Sequence, residues 1–183
     1  MAQSNIPEPV RHDWFITASG RQLFALDPDP AQICIEDIAH ALSNICRFSG
    51  HTREFVSVAQ HCVLVSRLVP HEHARAALLH DAPEAYLGDV IRPIKRVLGI
   101  NYTRLELAWW LAITKRFGVN PTLPDCVKDA DNIALMTERR DLIPSHAFKW
   151  VEDEHGYKPH PERVIPMTPC EARAAFLARF EEL

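Results

Sequence analysis

Four polar residues stand where helical patterning calls for apolar ones: His61, His80, Asp81 and Asp131. His61 has Val58 three positions before it and Leu64 and Val65 three and four after, so the helical period turns it toward a core. Asp131 has Val127 four positions before it, with Ala134 and Leu135 following on the same side. His80 and Asp81 end the apolar run Ala76-Ala77-Leu78-Leu79, just before Pro83 forces a break or kink. A buried carboxylate is expensive unless it is paired or bound to a metal. Two imidazoles and two carboxylates meeting in a bundle core suit a divalent ion such as Zn, Mn, Co or Fe. The residues alone leave a second reading open. His61 could be a hydrogen-bonded core histidine, with Asp81 and Asp131 capping helices or pairing with Arg139 or Lys128.

The elements that must position these residues are mostly helices. Apolar residues recur with helical spacing over 36–46, 53–69 (Phe55, Val58, Cys62 and Val65 on one face), 73–81, 103–117, 124–141 and 169–180. The start differs: two β-prone runs, Trp14-Phe15-Ile16-Thr17 and Leu23-Phe24-Ala25-Leu26, flank the turn signal Ser19-Gly20 and predict a small hairpin over 14–26. Residues 145–166 are polar and proline-bearing and read as a long surface loop. The fold class expected is therefore all-α, a helical bundle with a small N-terminal β-hairpin. At 183 residues the chain is expected to form one domain, 1–183, with its core over 36–142. Trp109-Trp110 reads as one core and one interface residue.

Composition narrows the partners. A formal charge of −4 without a basic stripe argues against a nucleic-acid partner. The longest apolar stretch, 105–113, is far short of the ~20 residues of a membrane span, and the start lacks the basic-then-apolar pattern of a signal peptide. Five cysteines with no C-x-x-C pair point to a reduced, cytoplasmic protein. Most other histidines, among them His71, His73, His146, His155 and His160, read as solvated or loop residues.

The order His61 … His80-Asp81 … Asp131 resembles the H…HD…D signature of the HD-domain metal-dependent phosphohydrolases. The likeness extends through residues 80–89, His-Asp-Ala-Pro-Glu-Ala-Tyr-Leu-Gly-Asp, which are similar to the H-D-x-x-E-x-x-x-G-D stretch of the short bacterial 5′-deoxynucleotidases. Arg47 precedes His61 about where those enzymes place an arginine, and Pro93-x-Lys95 matches their P-x-K. Residues 47–52, Arg-Phe-Ser-Gly-His-Thr, resemble a phage and bacterial subgroup that includes dATP triphosphohydrolases. A phage-encoded member would work in host cytoplasm. The string His155-Gly156-Tyr157-Lys158-Pro159 is similar to the Gly-Tyr-Pro element of cyclic-di-nucleotide phosphodiesterases, but Lys158 interrupts it and it is discounted.

The resemblance implies roles residue by residue. His61, His80, Asp81 and Asp131 would hold one catalytic metal (Zn, Co or Mn), with a second ion such as Mg accompanying a triphosphate. That metal would polarise the phosphoryl group and acidify water. Glu84 would position or activate the water, or handle the leaving-group proton. Asp89 would line the substrate pocket and serve the same chemistry. Arg47 and Lys95 would take the phosphate charge. Phe48 and Pro93 would stack on the base, the tight turn at Gly50 would let the base approach, and His51 stays open between a phosphate contact and a helix-start residue. Arg92, Arg96 and Lys128 could extend the site along a polyphosphate, but read first as surface charge. The activity implied is cleavage of the 5′-phosphoester of deoxynucleotides, dATP to deoxyadenosine and triphosphate above all, with dAMP and dADP accepted. A general 5′-deoxynucleoside monophosphatase and a nonenzymatic metal-stabilised helical module are the alternatives, and a homo-oligomer is expected.

Overall fold

Trp14–Ile16 (β1) and Gln22–Phe24 (β2) pair antiparallel, with Trp14 opposite Phe24, as the turn signal predicted. A pair this short is marginal in water by itself, and two anchors hold it to the helices. Ser19 donates from its backbone N–H and its hydroxyl to the two oxygens of Asp37, at 2.8 and 2.7 Å, and Trp109 Nε1 donates to the Ala25 carbonyl at 3.1 Å. The computed structural model describes residues 12–183, and after the hairpin the described chain is all-α. No helix in it is long and apolar enough to cross a membrane.

The helices are Ile35–Asn44 (α1), Val58–Arg67 (α2), His71–Leu79 (α3), Glu84–Leu87 (α4), Arg92–Leu98 (α5), Ile100–Phe117 (α6), Asp125–Leu142 (α7), Val151–Glu154 (α8) and Pro169–Glu182 (α9). Local chemistry sets their ends. The Ser57 hydroxyl accepts from Gln60 N–H and starts α2, so 53–57 are not helical and Phe55 is exposed, contrary to the expected face. Thr168 and Glu171 form a reciprocal capping box at α9, with proline in its first turn. α3 begins at His71 and stops at Leu79, so His80 and Asp81 lie in the turn that follows rather than in the helix expected over 73–81.

Two apolar clusters hold the bundle. The larger joins α1, α2, α3, α6 and α9 around Ile38, Leu42, Leu78, Trp109, Ile113 and Phe176; the smaller seats α7 on α2 and α3 through Val65, Ala77, Val127, Ala130 and Ala134. Trp109 and Trp110 are both buried, so the pair is core at both positions. Trp110 Nε1 donates to the Pro121 carbonyl at 2.8 Å, which meets its polar need indoors. The segment 145–166 is not a free loop. It contains α8, and its backbone is tied to α7 and α2: His160 N–H to the Thr137 hydroxyl, Val164 N–H to Asp141, and the Ile165 carbonyl to Gln60 Nε2.

Candidate metal centre

α2 and α7 lie side by side, and the turn after α3 closes the space between them. His61 is fully buried on α2, with Val58, Cys62 and Val65 also buried around it. Its Nε2 lies 3.1 Å from Asp131 Oδ1 and 3.7 Å from Asp81 Oδ2. His80 Nε2 lies 3.3 Å from the same Asp81 oxygen and 3.9 Å from the same Asp131 oxygen. The two imidazoles are tilted at 49° with centroids 5.4 Å apart. All four residues expected to hold a metal are brought to one place, and His61, His80 and Asp131 present ligand atoms within 4.8 Å of one another.

The outer nitrogens explain why these atoms face inward. His80 Nδ1 donates to the Ala77 carbonyl at 2.7 Å; a carbonyl only accepts, so in the neutral ring the lone pair is on Nε2. His61 Nδ1 bonds Glu138 Oε1 at 2.9 Å. Both Nε2 atoms are buried without a hydrogen-bond partner, and so is Glu84 Oε2. Buried polar atoms without partners are costly, and metal-binding imidazoles are ordinarily held through their other nitrogen in this way. The donor set fits a divalent metal.

Glu138 is the functional residue that sequence reasoning missed. It is 1% exposed, and its second oxygen receives Arg47 at 3.0 Å through one terminal nitrogen and 3.3 Å through Nε. Burial works against its charge, but Arg47 and His61 hold the carboxyl below its ordinary range. Seven residues after Asp131, it falls on the same helix face within a buried stretch, Ala134, Leu135, Met136 and Thr137. That spacing was the available signal.

Electrostatics follow from this packing. Burial and Arg47 oppose charge on His61, yet Glu138 and Asp131 outweigh them and raise the imidazole to about 9. Burial likewise opposes charge on His80, and Asp81 overrides it to raise that ring well above its usual value. For Asp131, burial is outweighed by the adjacent His61 imidazole and the field of both rings, leaving the carboxyl at about 2. Glu84 goes the other way: burial, reinforced by Asp81 and Asp89, raises it to about 8 against Lys95 and Arg47.

The remaining residues surround this cluster. Pro83 and the turn at 80–83 lead into α4, so Glu84 N–H donates to the Asp81 carbonyl at 3.0 Å and the two side chains share one rim. Gly88 ends α4 at φ 79°, a left-handed conformation suited to glycine, and Asp89 then returns to within 3.8 Å of an Arg47 terminal nitrogen, which is also 3.9 Å from Asp81. Lys95 Nζ bonds Glu84 at 3.2 Å and Glu106 at 2.7 Å. Phe48, Ser49 and Gly50 all have positive φ, 54°, 52° and 80°. Phenylalanine rarely adopts that region, so the turn is strained; it lays Phe48 against the Arg47 guanidinium and near Trp150, 6.1 Å between centroids. Gly50, His51 and Pro93 are exposed and are not drawn into the cluster. Pro93 lies in the first turn of α5, its φ preset for a helix start. Arg92, expected as surface charge, instead reaches Asp131 Oδ2 at 3.1 Å.

Fold and site together define a mostly all-α protein with a partly buried histidine–aspartate cluster able to hold a metal. The chain is 44% identical over 167 residues to the uncharacterized protein YfdR of Escherichia coli K12, covering 91% of this chain and 93% of that protein. It is 36% identical over 193 residues to the uncharacterized protein RCAP_rcc00048 of Rhodobacter capsulatus, covering 95% and 97%. The chain belongs to the family of these two proteins. No family model matches it.

Proposed function

We propose that the protein is a metal-dependent phosphohydrolase of the HD type, cleaving the 5′-phosphoester of deoxynucleotides, with dATP the first substrate to test. The observation that carries this reading is a pair of inward-facing, partnerless imidazole nitrogens between two aspartates, beside a buried glutamate with one partnerless oxygen. His61, His80, Asp81 and Asp131 would hold the ion, which when bound supplies Lewis acidity and an acidified water. A purely structural ion would gain nothing from Glu84 at its edge.

The chain's own residues divide the remaining work. Arg47 and Lys95 stand beside the cluster, toward Asp89 and Glu84, and would neutralise charge that gathers on the phosphoryl oxygens. Glu84, whose carboxyl is pushed up by burial and by Asp81 and Asp89, would carry a proton to the leaving group. As the water oxygen bonds to the α-phosphorus and the bond to O5′ breaks, O5′ leaves with that proton, and a proton of the water passes to solvent. Phe48 and Trp150 offer aromatic faces for the base.

The deciding experiment is a deoxynucleotide panel on chelated protein reloaded with Mn, Co or Zn, with phosphate and triphosphate separated chromatographically. No product under any metal overturns the enzyme reading. The same reading carries a homo-oligomer, supported by exposed apolar side chains on α5 and α6 such as Val97, Ile100 and Leu107, and light scattering checks it.

A further inference from the structure

Arg92 joins the metal cluster to α8. One terminal nitrogen donates to Asp131 Oδ2 at 3.1 Å and lies 3.4 Å from Asn132 Oδ1, while the other is paired with Glu152. Asp131 turns its other oxygen to the two imidazoles, so the guanidinium sits one carboxylate away from the place the metal would take. Its side chain is 48% exposed, whereas the Glu152 carboxylate has been carried inward to 11% exposure by a one-turn helix. A largely buried carboxylate oxygen on one terminal nitrogen of an arginine, at the mouth of a site, occupies the position and charge of a single phosphate oxygen. α8 and the chain just after it, a strap across this rim, are secured independently, by Arg139 on Asp153 and by Tyr157 on Asp129, so Glu152 can yield Arg92 without releasing the strap.

We infer that Arg92 is the arm that binds the phosphates beyond the α-phosphate, and that Glu152 holds this arm as an internal anion until a polyphosphate displaces it. The inference rests on the phosphohydrolase reading of the centre and specifies its substrate class as polyphosphorylated. Asp131 keeps the guanidinium aimed while its second nitrogen changes partner. Arg47 and Lys95 lie toward Asp89 and Glu84, so the distal phosphates have Arg92 to themselves.

The experiment is calorimetric binding of inorganic tripolyphosphate and of orthophosphate to the manganese-loaded protein, with magnesium in excess so that the chelating anion does not strip the site. Arg92→Ala should weaken tripolyphosphate by about tenfold or more, the scale of a hydrogen bond to a charged group, and leave the orthophosphate affinity within a few-fold. Glu152→Gln should tighten tripolyphosphate and leave orthophosphate unmoved, a gain that misfolding cannot produce. Arg96→Ala, an exposed charge on the same helix, controls for loss of positive field. If Arg92→Ala weakens both anions equally, or Glu152→Gln fails to tighten tripolyphosphate, the assignment is overturned and the metal centre stands. If the unaltered protein binds neither anion, the phosphohydrolase reading falls with it.

Discussion

On the inner wall of the cluster, His61, Arg47 and Glu138 are at most 8% exposed, and each is bonded to another member of the group. On the outer rim, the Arg92 side chain is about half exposed and shares its nitrogens among three acceptors. His61 and Glu138 come from α2 and α7, which are seated on the apolar core, and Arg47 from the turn before α2. The rim comes from α5, which buries no residue, and from a single turn of helix. An inner-wall charge left without its partner would cost about 3–5 kcal/mol, while exposed pairs are worth about 0–1 kcal/mol. The inner wall is therefore built to hold one arrangement, and the rim to exchange partners.

The harshest way to break this comparison is at the ligands. Asp131→Ala should abolish phosphate or triphosphate release, and added Mn should no longer raise the melting temperature, because stabilisation by a ligand requires binding to the native state. A variant that keeps its metal and its turnover excludes Asp131 as a ligand. Next comes Glu84→Gln, which should retain metal by elemental analysis yet lower kcat by about 10²–10⁴-fold, the range of proton-transfer catalysis. Metal lost from that variant would make Glu84 a ligand instead.

Glu138→Gln tests the inner wall without touching a ligand. It keeps an acceptor for His61 but leaves Arg47 without its buried counter-charge. Metal affinity should fall by about 10–100-fold, as for other residues that orient ligands, measured by competition with a chromogenic chelator. An unchanged affinity would mean that the carboxylate orients nothing.

That residue also marks where the sequence stopped being readable. His61 and Asp131 were legible because each interrupts an apolar helix face, a pattern that survives folding unchanged. Glu138 obeys the same periodicity, but a glutamate near a helix end beside Arg139 and Arg140 reads as solvated until the packing of α2 against α7 encloses it. α5 carried no amphipathic signal, since it buries nothing, and Arg92 was therefore read as surface charge. Phe55 has the apolar spacing of a helix face, but Ser57 caps α2 two residues after it. One tryptophan of Trp109-Trp110 reads as an interface residue because sequence does not show the Pro121 carbonyl that satisfies the Trp110 N–H indoors.

pH sharpens the comparison, because the inner wall binds a proton where the metal would bind. In the metal-free protein His61 is raised to about 9, against about 6.5 in an unfolded chain. The stabilisation from its charged pairing is complete below about 6.5 and is lost as pH rises through about 9. His80 is raised as well, so metal must displace up to two protons, and apparent affinity should rise by up to about tenfold per pH unit for each ring still protonated. Melting curves of chelated and Mn-loaded protein from pH 6 to 10 check both arms. A metal-free melting temperature that does not fall over that window would show that His61 carries no proton there.

The smallest effect belongs to the strap. Arg139 is paired with Asp153 of α8, donates to the Phe148 carbonyl at 3.1 Å, and places its guanidinium carbon 4.7 Å from the Trp150 ring centroid. Both members of the ion pair are partly exposed, so solvent screens the pairing and water can replace either partner. Arg139→Ala should therefore cost about 1 kcal/mol, with the cation–π contact a part of it, and lower the melting temperature by about 2–4 °C for a chain of this size. Metal affinity should not move, because the Arg139 guanidinium bonds Asp153 and the Phe148 carbonyl rather than a ligand or the Glu138 carboxylate. A loss as large as that of an inner-wall substitution would mean that α8 is part of the cooperative core. Glu152 could not then leave Arg92 without unfolding the wall behind it, and the contrast between a fixed wall and an exchangeable rim would fail.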